Sequence, residues 1–175
     1  MATYTQAPPE IRARLMSLAQ SYHRELIEAE VTFSVLMAAA QRDEHTGEPK
    51  GPALTKAGGW PALAKVRIVS LRDRVAGIAD VQILLDGDQW EEHSPERMDA
   101  ILDHELEHIE VQRDDEGQIK ADDCGRPKLR LKLHDWELGG FDAIVERHQE
   151  IAVELEAARR LMERPCVQQL FECMR

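Results

Sequence analysis

Several classes of protein are excluded by what this 175-residue sequence has little of. Aromatic residues make up only 5% of it, so the core it buries has to be mainly aliphatic. Cysteine is scarce: Cys124, Cys166 and Cys173 are odd in number and form no CxxC pair, which signals neither a disulfide framework nor a structural zinc knuckle. No run of about eighteen apolar residues occurs, and Met1 to Pro9 has neither a basic start nor an apolar stretch. A cytoplasmic protein with no membrane partner is expected. Positive charge is in the minority, and a net charge of −11 argues against a general nucleic-acid binder, because such affinity rests on concentrated Lys and Arg against phosphate. The 43% hydrophobic and 31% charged residues are ordinary for a globular chain. The length suits a single domain over 1–175 and is short for two.

Against this background one stretch stands out: His104-Glu105-Leu106-Glu107-His108, the pattern His-Glu-x-x-His. On a helix, residues four apart lie one above the other, so His104 and His108 can offer two imidazole nitrogens to one ion, with the Glu105 carboxylate beside them. Two metal ligands and an adjacent base are half of a zinc peptidase site. The local context predicts the helix over 95–112. Ser94 is a good N-cap, Pro95 suits the first turn, and Glu96 favours the positive end of the helix dipole. Met98, Ile101, Leu102 and Ile109 form an apolar stripe on or beside which His104, Glu105 and His108 fall, so the motif faces inward. Burying three ionisable groups without partners costs several kcal/mol each, and a shared metal satisfies them together.

Around that helix the patterning alternates between helical and extended. Ile11, Leu15, Leu18, Tyr22 and Leu26 predict an amphipathic helix over 8–29, with His23 just off the stripe as a surface residue. Glu30 to Met37 alternates and reads as a strand, and 38–61 reads as a long polar loop, an exposed insertion or a flap over a cleft, in which His45 has no assigned role. Val66 and Ile68 suggest a second strand bending into a helical piece at Leu71 to Val75. Asp80 to Asp86 reads as a third strand, closed by Asp86-Gly87, whose edge would lie along the cleft and pair with an extended peptide. Leu129, Leu131 and Leu133 alternate with Arg130, Lys132 and His134 and read as part of a hairpin. A long helix is predicted over 141–163, between Gly139-Gly140 and Pro165; it can cover the core or pair two copies as a homo-oligomer. The pattern is that of an α+β domain with a mixed or antiparallel sheet of about three to five strands.

A catalytic zinc normally takes three protein ligands and keeps one position for water. His134 is the leading candidate for the third, with Asp135 placed to orient its ring. Glu137, Glu146 or Glu150 would make a two-His, one-Glu site instead, and the spacing of His148 from Ile144 and Ile151 suits a packed histidine better. His93 could border the cleft, and Cys124 reads as an exposed turn residue rather than a ligand.

Taken together, Asp103-His104-Glu105-Leu106-Glu107-His108, an acidic Gly-containing turn, Lys128-Leu129-Arg130-Leu131-Lys132-Leu133-His134-Asp135 and a helix opening at Phe141 resemble the putative phage metallopeptidases, small zincin-like proteins distantly similar to the SprT-like metalloproteases. The resemblance spans about Asp80 to His148. It implies a zincin-like fold, Zn²⁺ held by His104, His108 and His134, Glu105 as general base, and a protein or peptide substrate. Gly139-Gly140 and the long C-terminal segment with Cys166 and Cys173 depart from the family pattern, which leaves the cleft shape open. The oxyanion-stabilising group is not visible in the sequence; Lys132, Arg130 or a loop residue are the choices. A rival reading keeps the fold as a catalytically silent binding protein acting on a host or phage partner, and a DNA-associated protease would need a basic surface that the overall charge does not advertise.

Overall fold

The computed structural model describes residues 2–56, 59–134 and 140–162. The chain begins with a strand β1 (Thr3–Gln6), followed by α1 (Pro9–Tyr22) and α2 (Arg24–Glu28). The polar, fully exposed Thr-Tyr-Thr-Gln of β1 has no apolar face, which is why its sequence does not announce a strand. The helix expected over 8–29 is interrupted at His23, where φ −123° and ψ 52° leave the helical region. His23 is 6% exposed rather than on the surface, because the break turns its Nε2 to within 2.6 Å of Asp103 Oδ1. Glu30, at φ 53°, closes α2 in the left-handed conformation, with the Val31 N–H donating to Leu26 O. The strand read from Glu30 therefore starts later, as β2 (Phe33–Ala39).

Beyond β2 the expected loop is folded against the sheet, with isolated bridges Arg42–Pro49 and Thr55–Pro61 and a small buried cluster of Ala38, Ala40, Ala53, Leu54 and Ala62. Then come β3 (Ala64–Ile68), α3 (Leu71–Val75, capped by Ser70) and β4 (Val81–Asp86). The sheet is mixed, in the order β1-β2-β4-β3: β4 runs parallel to β2 and antiparallel to β3. Its near-continuous apolar run is buried on both faces, as a central strand requires. Both edges of β4 are thus occupied, and the strand whose outer edge borders the cleft is β3, not β4 as the sequence suggested. At Gly87 the turn passes so close to β2 that a Cβ would sit 3.0 Å from Ala38 O.

A short 3₁₀ turn at Trp90–Glu92 precedes α4 (Pro95–Glu107). This helix ends five residues before the expected 112, because Ile109–Val111 forms β5, antiparallel to β6 (Leu129–Leu131). Of the alternating leucines only Leu129 is buried; Leu131 is 45% and Leu133 86% exposed. The C-terminal part is not one helix over 141–163 but α5 (Asp142–His148), a 3₁₀ turn and α6 (Val153–Met162), broken at Gln149, where φ is 48°. The described residues thus hold six α-helices and a four-stranded and a two-stranded sheet, and no helix among them is long and apolar enough to cross a membrane. One aliphatic core joins α1, α2, the sheet and α4 around Leu15, Leu26, Ile83, Leu85, Leu102 and Leu106.

Candidate metal centre

The sequence-marked cap holds the start of α4: Ser94 Oγ accepts from the Arg97 N–H, and Pro95 opens the first turn. At the other end His108 is already tied to the hairpin. Its carbonyl accepts from Lys132 N at 2.6 Å, and its Nδ1 lies 2.9 Å from Lys132 O, to which it donates. These bonds extend the β5–β6 register by one pair beyond Ile109–Leu131. Two residues past Lys132 the chain brings His134 to the face of α4 that carries His104 and His108.

The three histidines converge: one ligand atom from each of His104, His108 and His134 lies within 4.8 Å of the others. Nε2 of His104 is 3.2 Å from Nε2 of His134. The Nδ1 of His104 donates to Glu154 Oε1 at 2.6 Å, as that of His108 does to Lys132 O, so in both rings Nε2 carries the free lone pair. Burial lowers the His108 proton affinity, and burial with the neighbouring His108 and His104 lowers that of His134 to about 4, so both are neutral at pH 7. Neutral imidazoles with outward-fixed Nδ1 groups are the donors zinc takes, and tetrahedral bonds of about 2.0–2.1 Å put neighbouring nitrogens roughly 3.3 Å apart. The donor set fits such an ion. Phe141, fully buried, backs all three rings at centroid distances of 5.2, 4.8 and 5.0 Å and closes one side of the site to water.

Glu105 lies on the same face of α4 and is 6% exposed. Burial pushes its carboxyl up to about 7, partly opposed by the neighbouring His104 and Lys56 and by a hydrogen bond from the Val66 N–H. That bond joins the helix to the edge of β3. Asp86 N donates to Leu63 O and Val69 N to Asp80 O, so the odd-numbered residues bond to β4, while the N–H and C=O of Ala64 and Val66 point away from it. The resulting cleft, about 490 Å³, is lined by Pro61 to Val66, Ile101 and Leu131 together with the three histidines and Glu105.

His93 lines this cleft, as its position before the helix cap suggested. His148 is packed, its Nε2 2.8 Å from Asp103 Oδ2. Cys124 and His45 are exposed in turns, and Glu146 and Glu150 are exposed on the C-terminal segment away from the histidines. Asp135, Glu137, Cys166 and Cys173 lie outside the described residues. Two residues that sequence reasoning missed are Glu154 and Phe141 in its role as the wall behind the rings. Glu154 is 3% exposed and fifty positions from the histidine it holds, and α6 is positioned by Arg97, which bonds Ile151 O and pairs with Glu156. Nothing local marks it among the other glutamates of that segment.

No curated protein and no solved structure matches the chain. A family model does, described as putative phage metallopeptidase and covering residues 2–165, and a match over that share of the sequence places this chain in that family.

Proposed function

We propose that this protein is a zinc-dependent peptidase of zincin type in which His104, His108 and His134 hold the metal and Glu105 is the general base. The observation that carries the reading is the 3.2 Å approach of the His104 and His134 Nε2 atoms, beside a third histidine and a buried carboxyl, with Nδ1 of His104 and of His108 each held by a hydrogen bond. A bound zinc ion supplies a Lewis acid that polarises a carbonyl and makes water nucleophilic at neutral pH. The protein's own part begins with binding. The N–H and C=O of Ala64 and the C=O of Val66, which point away from β4, pair with an extended peptide as an added strand, which aligns its backbone along the cleft without demanding a particular sequence. Glu105, with a proton affinity near neutrality, takes the proton of the attacking water and returns it to the leaving amine. Phe141 and the apolar cleft lining limit competing water.

The test is zinc stoichiometry of the purified protein with a peptide or casein digest, with and without chelator, for the parent and Glu105→Gln. One zinc per chain and chelator-sensitive cleavage are expected, with the variant retaining zinc and losing at least about 10²-fold in rate. A variant cleaving as fast as the parent refutes the base assignment. Bound zinc with no chelator-sensitive cleavage over varied substrates favours a binding protein that keeps the site for its architecture.

A further inference from the structure

The cation that meets the developing negative charge on the scissile carbonyl oxygen is not among the residues that share the helix and hairpin with the histidines. Arg130 is committed to Glu110 through two hydrogen bonds, and Lys132 Nζ lies 3.0 Å from Glu107 Oε1 and over the Phe141 ring. Of the basic residues lining the cleft, Arg97 is bound to Ile151 O and Glu156, and Lys65 Nζ donates to Thr55 O at 2.8 Å. Lys56 also lines the cleft, and among the described residues its ammonium meets no carboxylate or carbonyl partner.

The backbone of Lys56 is fixed although its side chain is exposed. Its N–H donates to Trp60 O at 2.6 Å, its carbonyl accepts from Gly59 N, Thr55 bridges Pro61, and Lys65 reaches across to Thr55 O. Lys56 lines the same cleft as His104, Glu105, His108 and His134. A peptide bond and neutral imidazoles bring no anion to this ammonium. The oxygen of the carbonyl under attack becomes one only as the water adds, and a cation waiting for charge that exists only at that stage lowers the barrier without tightening ground-state binding.

We propose that Lys56 stabilises the oxyanion formed at the scissile carbonyl; this rests on the peptidase reading above. The alternative use of such a cation, gripping a carboxylate of the substrate, is separated by the experiment. Lys56→Met and Lys56→Arg would be compared with the parent in zinc content, in kcat and KM on an internally quenched peptide blocked at both ends, and in calorimetric affinity for a peptide phosphonate and for the matching unmodified peptide. Lys56→Met is expected to keep its zinc, to lose about 10²-fold in kcat with KM little changed, and to bind the phosphonate at least about tenfold more weakly than the parent does, with Lys56→Arg largely restored. Unaltered phosphonate affinity, or a rise in KM at constant kcat, overturns the proposal. If the zinc-loaded parent cleaves nothing, the peptidase reading fails on that result, while the phosphonate titration still decides whether Lys56 receives a tetrahedral anion.

Discussion

Replacing Glu154 by alanine removes the hydrogen bond that holds the His104 ring at Nδ1. The carboxylate is 3% exposed, and its Oε1 stands 2.6 Å from His104 Nδ1, a charge-assisted bond in a water-poor setting. It does three things at once: it selects the tautomer with a lone pair on Nε2, it holds the ring plane, and it raises the basicity of the nitrogen proposed to bind the metal. Losing such a partner costs about 10–100-fold in metal affinity, or about 1.4–2.7 kcal/mol. Glu154→Gln separates the contributions, since the amide oxygen still accepts from Nδ1–H while the charge is gone, and it should fall between parent and alanine. The assay is a competition titration of zinc against a chromophoric chelator, with thermal unfolding in EDTA to establish that each metal-free variant is folded. Were Glu154→Ala to hold zinc as tightly as the parent while folded, the metal would not be using His104 in this orientation, and the centre built here would be wrong.

Two further outcomes follow from buried carboxyls on α4 and just before β4. Glu105 has a folded-state proton affinity raised from 4.5 to about 7, so the metal-free chain loses stability as the pH climbs through that window; Glu105→Gln in EDTA should be more stable than the parent near pH 8, with the gap closing by about pH 4–5, and a gap independent of pH refutes the assignment. Burial pushes the Asp80 carboxyl up, but hydrogen bonds from Arg126, Thr32 and Arg74 outweigh it and hold it well below its ordinary 3.8, so its contribution is full above about pH 4 and lost in acid. Asp80→Asn should cost about 3–5 kcal/mol in urea unfolding at pH 7, with the deficit narrowing below about pH 4.

The parts of the fold legible in the sequence are those where local chemistry and tertiary structure agree. Ser94 and Pro95 mark the start of α4, Ser70 caps a helix at Leu71–Val75, and Asp86-Gly87 ends a strand, each by hydrogen bonds made within a few residues. The misreadings arose where two periods fit the same few residues or where the deciding contact was distant. Ile109 continues the helical stripe of Ile101 and Leu102 as well as it opens Ile109-Glu110-Val111, and only the pairing with Leu129–Leu131 selects the strand. His23 and Gln149 interrupt helices without Gly or Pro, the former in order to reach Asp103. Strand order has no local signature at all, so the role of cleft edge fell to β4 in the sequence reading and belongs to β3. In the candidate site the histidines could be named from spacing and chemistry, whereas Glu154, Phe141 and Lys56 come from three segments whose convergence is purely tertiary.

The helix that carries the motif has two charged faces, and their difference explains why one of its carboxyls is poised near neutrality. Asp103 is fully buried, yet it is satisfied by His23 at 2.6 Å, His148 at 2.8 Å and Arg147 at 3.1 Å, and Glu107 is held by Lys132 and Arg147. Those pairs clamp α1, α5 and the hairpin strand to the back of α4, so the polar groups that would otherwise destabilise a buried helix instead fix the segments that deliver His134 and Glu154. Glu105 has no such cation bound to it among the described residues; the nearby His104, Lys56 and Lys65 and a backbone N–H only partly offset its burial. An ion pair there would depress the carboxyl far below the pH at which a base is useful. Removing that backbone N–H with Val66→Pro, at a strand edge where it points away from β4, should raise the carboxyl further and move the acid limb of the kcat/KM profile to higher pH, and an unmoved limb would show that the proton affinity of Glu105 is not what the chemistry requires.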